Sequence, residues 1–238
     1  MKKRLAAAVL AAVAVLLTGC GKAALPYARE MGDMALAVSD MGIYEALTPA
    51  YFARHLGFLN GAALVVADAN LPQEALDYLA HHCTAPLLVD PVSTVKAEKV
   101  RPILGKLHTL KPNRLEAELL SGVAIRDLPS ARQAAGKLLE TGLQRVFISL
   151  GTQGVFAADH TQDVWYPCCP AQMRSATGAG DAFAAALAWA FLEGKDLAYS
   201  ARAANAAAAI AVEGEKTINP ALSAEAVQAR MTEQEEAL

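Results

Sequence analysis

Residues 62–90, AALVVADANLPQEALDYLAHHCTAPLLVD, read as strand, helix, strand. Ala62 to Ala67 is a compact apolar run that stops at Asp68, the pattern of a buried strand. Pro72 to Ala80 predicts a helix: Pro sits in the first turn, where its missing N–H is harmless, and Ala75, Leu76, Leu79 and Ala80 share one face. Pro86-Leu87-Leu88-Val89-Asp90 predicts the next buried strand.

The same alternation extends in both directions. Upstream, Ala35 to Val38 is a candidate strand and Pro49 to Leu56 a short helix. Downstream, a helix begins near Val95, and His108-Thr109-Leu110 leads into another from about Asn113 to Leu120. Ala131 to Thr141 is helical, and Val146 to Leu150 is a strand. Strands alternating with helices argue for an α/β fold with a mostly parallel sheet covered by helices. After Gly151 the pattern changes to two short strands, Gly154–Ala158 and Asp163–Tyr166, and two Ala-rich helices, Ala179–Leu192 and Leu197–Val212.

Composition narrows the function classes. The chain has 238 residues, 54% of them apolar and 19% charged, so it can bury a core. A net charge of −3 gives no electrostatic argument for nucleic acid. Four cysteines, none in a C-x-x-C pair, suit neither a disulfide scaffold nor a cysteine zinc site. The strings G-x-x-x-x-G-K-[ST], G-x-G-x-x-G and H-E-x-x-H are all missing.

The N-terminus is unlike the rest. Lys2, Lys3 and Arg4 precede an unbroken apolar run from Leu5 to Leu17, which closes with Leu17-Thr18-Gly19-Cys20. That is the layout of a secretory leader, too short for an ordinary membrane span, with Cys20 as the lipidation candidate. An Ala-rich helix and a mis-called start or fusion are the alternative readings. Residues 1–31 are therefore set apart from a domain spanning 32–238.

Three strings carry chemistry. In Ser175-Ala176-Thr177-Gly178-Ala179-Gly180-Asp181, small residues open a helix, so the backbone can approach a ligand and the first-turn amides can face an anion. Asp181 in that turn can act as a base on a hydroxyl proton, although it also suits a simple helix start. In Lys111-Pro112-Asn113-Arg114-Leu115-Glu116, Asn113 and Glu116 have the spacing of a capping box, and the same pair can hold a magnesium-bound phosphate through waters. Ser149-Leu150-Gly151-Thr152-Gln153-Gly154 is a strand end turning through two glycines, whose exposed amides suit a nucleotide.

Taken in order, these strings resemble the PfkB family, the ribokinase-like carbohydrate and nucleoside kinases. GAGDAF matches the family's C-terminal signature, KPN-x-x-E its magnesium and phosphate motif, and SLGTQG its nucleotide loop. Asp90-Pro91-Val92-Ser93 and the stretch Gly32 to Met41 look most like the pseudouridine kinases. The resemblance implies a ribokinase-like three-layer α/β/α fold whose N-terminal part and lid are incomplete. It implies ATP and Mg2+; Ser175 stands where potassium-activated members often have Asp, which counts against a monovalent-cation site, and only backbone carbonyls could supply one. Asp181 would be the catalytic base, with Gly178, Ala179 and Gly180 as the anion hole. Asn113 and Glu116 would organise phosphate and magnesium; Ser149, Gly151, Thr152 and Gly154 would bind the nucleotide, and Asn205 would flank its base. The expected reaction is phosphorylation of a sugar or nucleoside hydroxymethyl, pseudouridine above all, with a small-molecule partner and a homodimer open. The family's sugar-binding Asp and Gly-Gly motif have no candidates in residues 1–31. The rival expectation is an exported lipoprotein or a nucleotide-binding remnant without catalysis. The kinase strings place the chain in the cytoplasm; a functional leader would place it on a membrane.

Overall fold

The computed structural model describes residues 29–30, 33–34 and 41–236. The candidate strand Ala35–Val38, the leader through Cys20 and most of Gly32 to Met41 lie outside the described residues. Strands β1 (Arg29–Glu30) and β2 (Asp33–Met34) pair antiparallel. A 3-10 turn at Gly42–Ala46 and helix α1 (Pro49–Asn60) then lead to the main sheet.

That sheet has six strands in the order β3 (Val65–Asp68), β4 (Leu87–Asp90), β5 (Thr109–Leu110), β6 (Arg145–Ser149), β7 (Val155–Asp159), β8 (Asp163–Tyr166). Spatial order equals chain order, as expected where consecutive elements settle side by side. The first four strands are parallel, in the registers Val65↔Leu87, Leu88↔Thr109 and Thr109↔Arg145. β7 and β8 are joined by the turn His160-Thr161-Gln162, too short for anything but an antiparallel pair. The Asp159 carboxylate shapes that turn by accepting from the amides of Thr161 (2.8 Å) and Gln162 (3.0 Å).

The described residues fall into two compact units. In the first, residues 41–148 with 158–163, the β4 run Leu87-Leu88-Val89 is buried throughout. Helix α2 (Gln73–His82) supplies Leu76 and Leu79 to this core, a 3-10 turn (Arg101–Lys106) supplies Ile103, and α5 (Leu128–Leu139) supplies Leu138, all essentially inaccessible. The short α3 (Thr94–Ala97) is capped by the Ser93 hydroxyl, which accepts from the Lys96 amide. Helix α4 (Arg114–Ser121) starts at the capping box anticipated at Asn113 and Glu116 and ends on Gly122 in the left-handed conformation.

The second unit is dominated by α6 (Ala179–Leu192) and α7 (Leu197–Val212), with the bounds expected from sequence. Their facing positions are mostly alanine: Ala182, Ala186 and Ala190 on one, Ala201 and Ala204 on the other, all buried. Small side chains let two backbones approach closely and gain dispersion contacts along their length. Asp196 caps α7 by accepting from the Tyr199 amide at 2.7 Å. Helix α8 (Ala224–Glu236), which sequence reading left unassigned, buries Val227 and Met231.

Candidate active site

In an open parallel sheet, functional groups collect beyond the carboxyl ends of the strands. Here β3 and β4 each finish in an aspartate, and Asp68 lies in register with Asp90. Just past β5, the Lys111 ammonium reaches Asp90 Oδ2 at 2.9 Å, with side-chain exposures of 7% and 17%. An ion pair this sheltered stays formed because removing either partner leaves the other charge stranded.

Glu116 lies beside this pair and is 2% exposed. Its Oε2 accepts from the Asn113 amide (2.8 Å) and its Oε1 from Asn113 Nδ2 (2.7 Å), while Asn113 Oδ1 accepts from the Glu116 amide (3.0 Å). Burial pushes the Glu116 carboxyl up; the Asn113 amide bond opposes that, Asp90 adds to it and Lys111 counters it. Asp68 is likewise raised by burial, against two hydrogen bonds from Asn70, with Asp90 raising and Lys96 lowering it. Lys96 Nζ donates to Asn70 Oδ1, and Lys99 Nζ donates to the carbonyls of Ala69 (3.1 Å) and Leu71 (3.0 Å), so α3 and the residues after it hold the β3–α2 loop.

The donor set suits magnesium. Among the described residues no three His, Cys, Asp or Glu side chains form a metal cage. Magnesium instead takes one or two carboxylates plus waters and substrate phosphates. Each Glu116 oxygen, although bonded to Asn113, keeps a further lone pair for a metal-bound water.

The other sequence-predicted residues belong to the second unit. Ser149 ends β6, and Gly151–Gln153 form an exposed 3-10 turn closed by Leu150 N–H to Gly154 O (2.8 Å). Gly154 is obligatory: at φ 90°, a Cβ would lie 2.0 Å from the Tyr166 carbonyl oxygen. Thr152 projects from the exposed part of this turn.

Gly178 is the N-cap of α6, left-handed at φ 89°, and no side chain caps the helix. A Cβ there would meet Thr217 O at 2.1 Å. Ala179, Gly180 and Asp181 follow as the first three helical residues. The first-turn amides are therefore presented by a turn that only glycine can form, with Asp181 exposed on the same turn. Ser175 is buried; its amide and that of Arg174 both donate to Val212 O, which fixes the turn against the end of α7.

Asn205 is 5% exposed, and its Nδ2 donates to Pro167 O at 2.6 Å. Gln234 Nε2 donates to the same oxygen at 2.7 Å. Asn205 thus anchors the segment that backs Gly154, since a Cβ on Gly154 would also strike Pro167 and Cys168. The structure brings Asn113 to Glu116, the glycines of each turn to one another, and Asn205 to the segment that backs Gly154.

Sequence reading did not assign a role to Lys111, Asp68 or Asp90. The signal was present as two apolar runs that each stop at an aspartate, followed by a lysine at the next strand end. Two features give no site. The Nδ1 atoms of His81 and His82 lie 2.8 and 2.9 Å from carbonyls one turn back, closing α2. The Cys169 thiol, raised to about 11 by burial with Cys168 adding to it, donates to Gln234 Oε1, so it is poorly nucleophilic.

The first unit thus carries polar groups at the carboxyl ends of β3, β4 and β5, and the second a helix N-terminus opened by a left-handed glycine. Residues 53–224 match the family model of the pfkB family carbohydrate kinases, and the chain belongs to that family. It is 40% identical over 194 residues to the pseudouridine kinase of Escherichia coli (strain K12), covering 81% of this chain and 62% of that protein. It is 30% identical over 186 residues to the ribokinase of Bacillus subtilis (strain 168), covering 76% and 59%. Among solved structures it resembles a carbohydrate kinase from Agrobacterium tumefaciens, with TM-score 0.70 and 29% identity, covering 84% of this chain and 64% of that one. It also resembles a Thermotoga maritima ribokinase, with TM-score 0.68 and 26% identity, covering 78% and 61%. The fold is thus ribokinase-like, and the chain spans less than two thirds of the length of these relatives.

Proposed function

We propose that this chain supplies the nucleotide-binding and catalytic part of an ATP-dependent kinase that phosphorylates the 5′ hydroxymethyl of a nucleoside, pseudouridine. The observation that carries the reading is the left-handed Gly178 turn with no side-chain cap, which opens α6 and places Asp181 in its first turn. The 40% identity to a pseudouridine kinase supports the choice of acceptor.

In this reaction Asp181 accepts the proton of the acceptor hydroxyl as its oxygen attacks the γ-phosphorus of ATP. The bond from that phosphorus to the β–γ bridging oxygen breaks, and ADP leaves with the bonding pair. The amides at Gly178, Ala179 and Gly180 stabilise the charge that develops on the transferred group. Asn113 and Glu116 would hold magnesium through its waters, and the ion when bound would neutralise phosphate charge. Ser149, Gly151, Thr152 and Gly154 receive the nucleotide, and Asn205 keeps their backing segment in place. Carbonyls near Ser175 are the proposed ligands of a monovalent cation.

The second reading is a nucleotide-binding fragment of this fold with no turnover of its own. An acceptor panel separates the two. With ATP and magnesium, phosphate transfer to pseudouridine in preference to ribose and adenosine supports the kinase. ATP binding with no transfer to any of them supports the fragment. A kinase reading places the chain in the cytoplasm; labelled palmitate incorporation that disappears in Cys20→Ala would replace that location with a membrane.

A further inference from the structure

We propose that Trp165 is a positioning residue for the nucleotide loop: its indole fixes the peptide between Gln153 and Gly154, and the loop's affinity for ATP depends on that contact. The role of the loop itself rests on the kinase reading. Trp165 is exposed on β8, between the half-buried Val164 and Tyr166. At 41% exposure, this large side chain gains little of the burial that usually anchors a tryptophan. Its indole Nε1–H instead makes a directed bond, donating to Gln153 O at 2.9 Å.

That carbonyl belongs to the peptide whose N–H, on Gly154, donates to Gly151 O at 3.0 Å. Both polar groups of one peptide plane are therefore held, the N–H from within the turn and the oxygen from β8. The orientation matters because Gly154 follows at φ 90°, ψ −134°, a conformation open in practice to glycine alone. Glycine opposes rotation of the preceding peptide only weakly, and the bond inside a 3-10 turn has poor geometry. Without the indole, the plane rests on that bond. The neighbour of Trp165 grips the same turn from behind: a Cβ on Gly154 would lie 2.0 Å from Tyr166 O. β8 thus holds the turn twice, by the backbone of Tyr166 and by the side chain of Trp165. The residues so held, Gly151, Thr152 and Gly154, are those assigned to the nucleotide. A loop preset in its binding shape spares the ligand the cost of ordering it.

The test compares the full chain with its Trp165→Phe variant, which keeps an aromatic ring and removes the donor. ATP affinity is measured by calorimetry, turnover with ATP and pseudouridine, and loop order by amide exchange. The Kd and KM for ATP should rise about three- to tenfold, the effect of one lost hydrogen bond. The kcat and the KM for pseudouridine should stay within about twofold of wild type. The Gly154 amide should exchange at least about threefold faster in the variant, while that of Ile148 in β6 is unchanged. The proposal is overturned if the variant binds ATP as tightly as wild type. A lower urea midpoint with an unchanged KM for ATP also overturns it, because that is the mark of a merely structural contact. Wild type that binds ATP but transfers no phosphate counts against the kinase reading, and the calorimetric ratio still decides the role of Trp165. Wild type that does not bind ATP overturns both.

Discussion

At Gly178 backbone geometry and chemistry coincide. A positive φ and a carbonyl 2.1 Å from the position of any Cβ both oppose substitution. Gly178→Ala should therefore destabilise the chain by about 1–3 kcal/mol, measured by urea unfolding, and weaken ATP binding more than a surface change of equal size. Glu116 and Asp68 are a different case. Burial holds both carboxyls above their ordinary range, so the folded state binds their protons more tightly than the unfolded chain does. Their contribution is complete below the ordinary carboxylate pKa of about 4 and is lost as pH rises through the higher folded values. Asp68→Asn and Glu116→Gln should thus gain stability relative to wild type as pH rises from about 4 to 7. Unfolding midpoints across that interval check the sign, and a relative loss would contradict the burial argument. Asn113 and Glu116 were legible because their spacing is a helix signal; Lys111–Asp90 was not, because its partners meet only when β4 and β5 lie side by side.

Elements inherit their limits from such residues. α6 and α7 were readable to the residue because small amino acids and Asp196 mark where each begins. α1 ran on to Asn60 beyond the expected Leu56: Gly57 weakens a helix without ending it, and the chain leaves the helix only at Gly61. α8 was missed: charge dominates Ala224–Glu236, and its buried Val227 and Met231 are too few to announce an apolar face. The close pairing of α6 and α7 predicts that Ala204→Leu is destabilising by about 1–3 kcal/mol through overpacking, whereas Ala185→Leu on the exposed side of α6 is near neutral. Thermal unfolding of the two variants checks the contrast. Asn205→Ala, which strips a buried partner from Pro167 O, should cost about 1–3 kcal/mol and loosen the segment that backs Gly154.

For the whole molecule, the parallel sheet and its family were both legible, because alternating apolar runs and ordered glycine strings survive in a single sequence. What sequence could not show was the order in which the described strands lie side by side in that sheet. The most direct measurement is phosphate transfer from ATP to pseudouridine, followed by phosphorus NMR for wild type and Asp181→Asn. The account predicts pseudouridine 5′-phosphate from wild type and a loss of at least about a hundredfold in the variant, with ATP affinity nearly unchanged. Turnover by Asp181→Asn equal to wild type would contradict it.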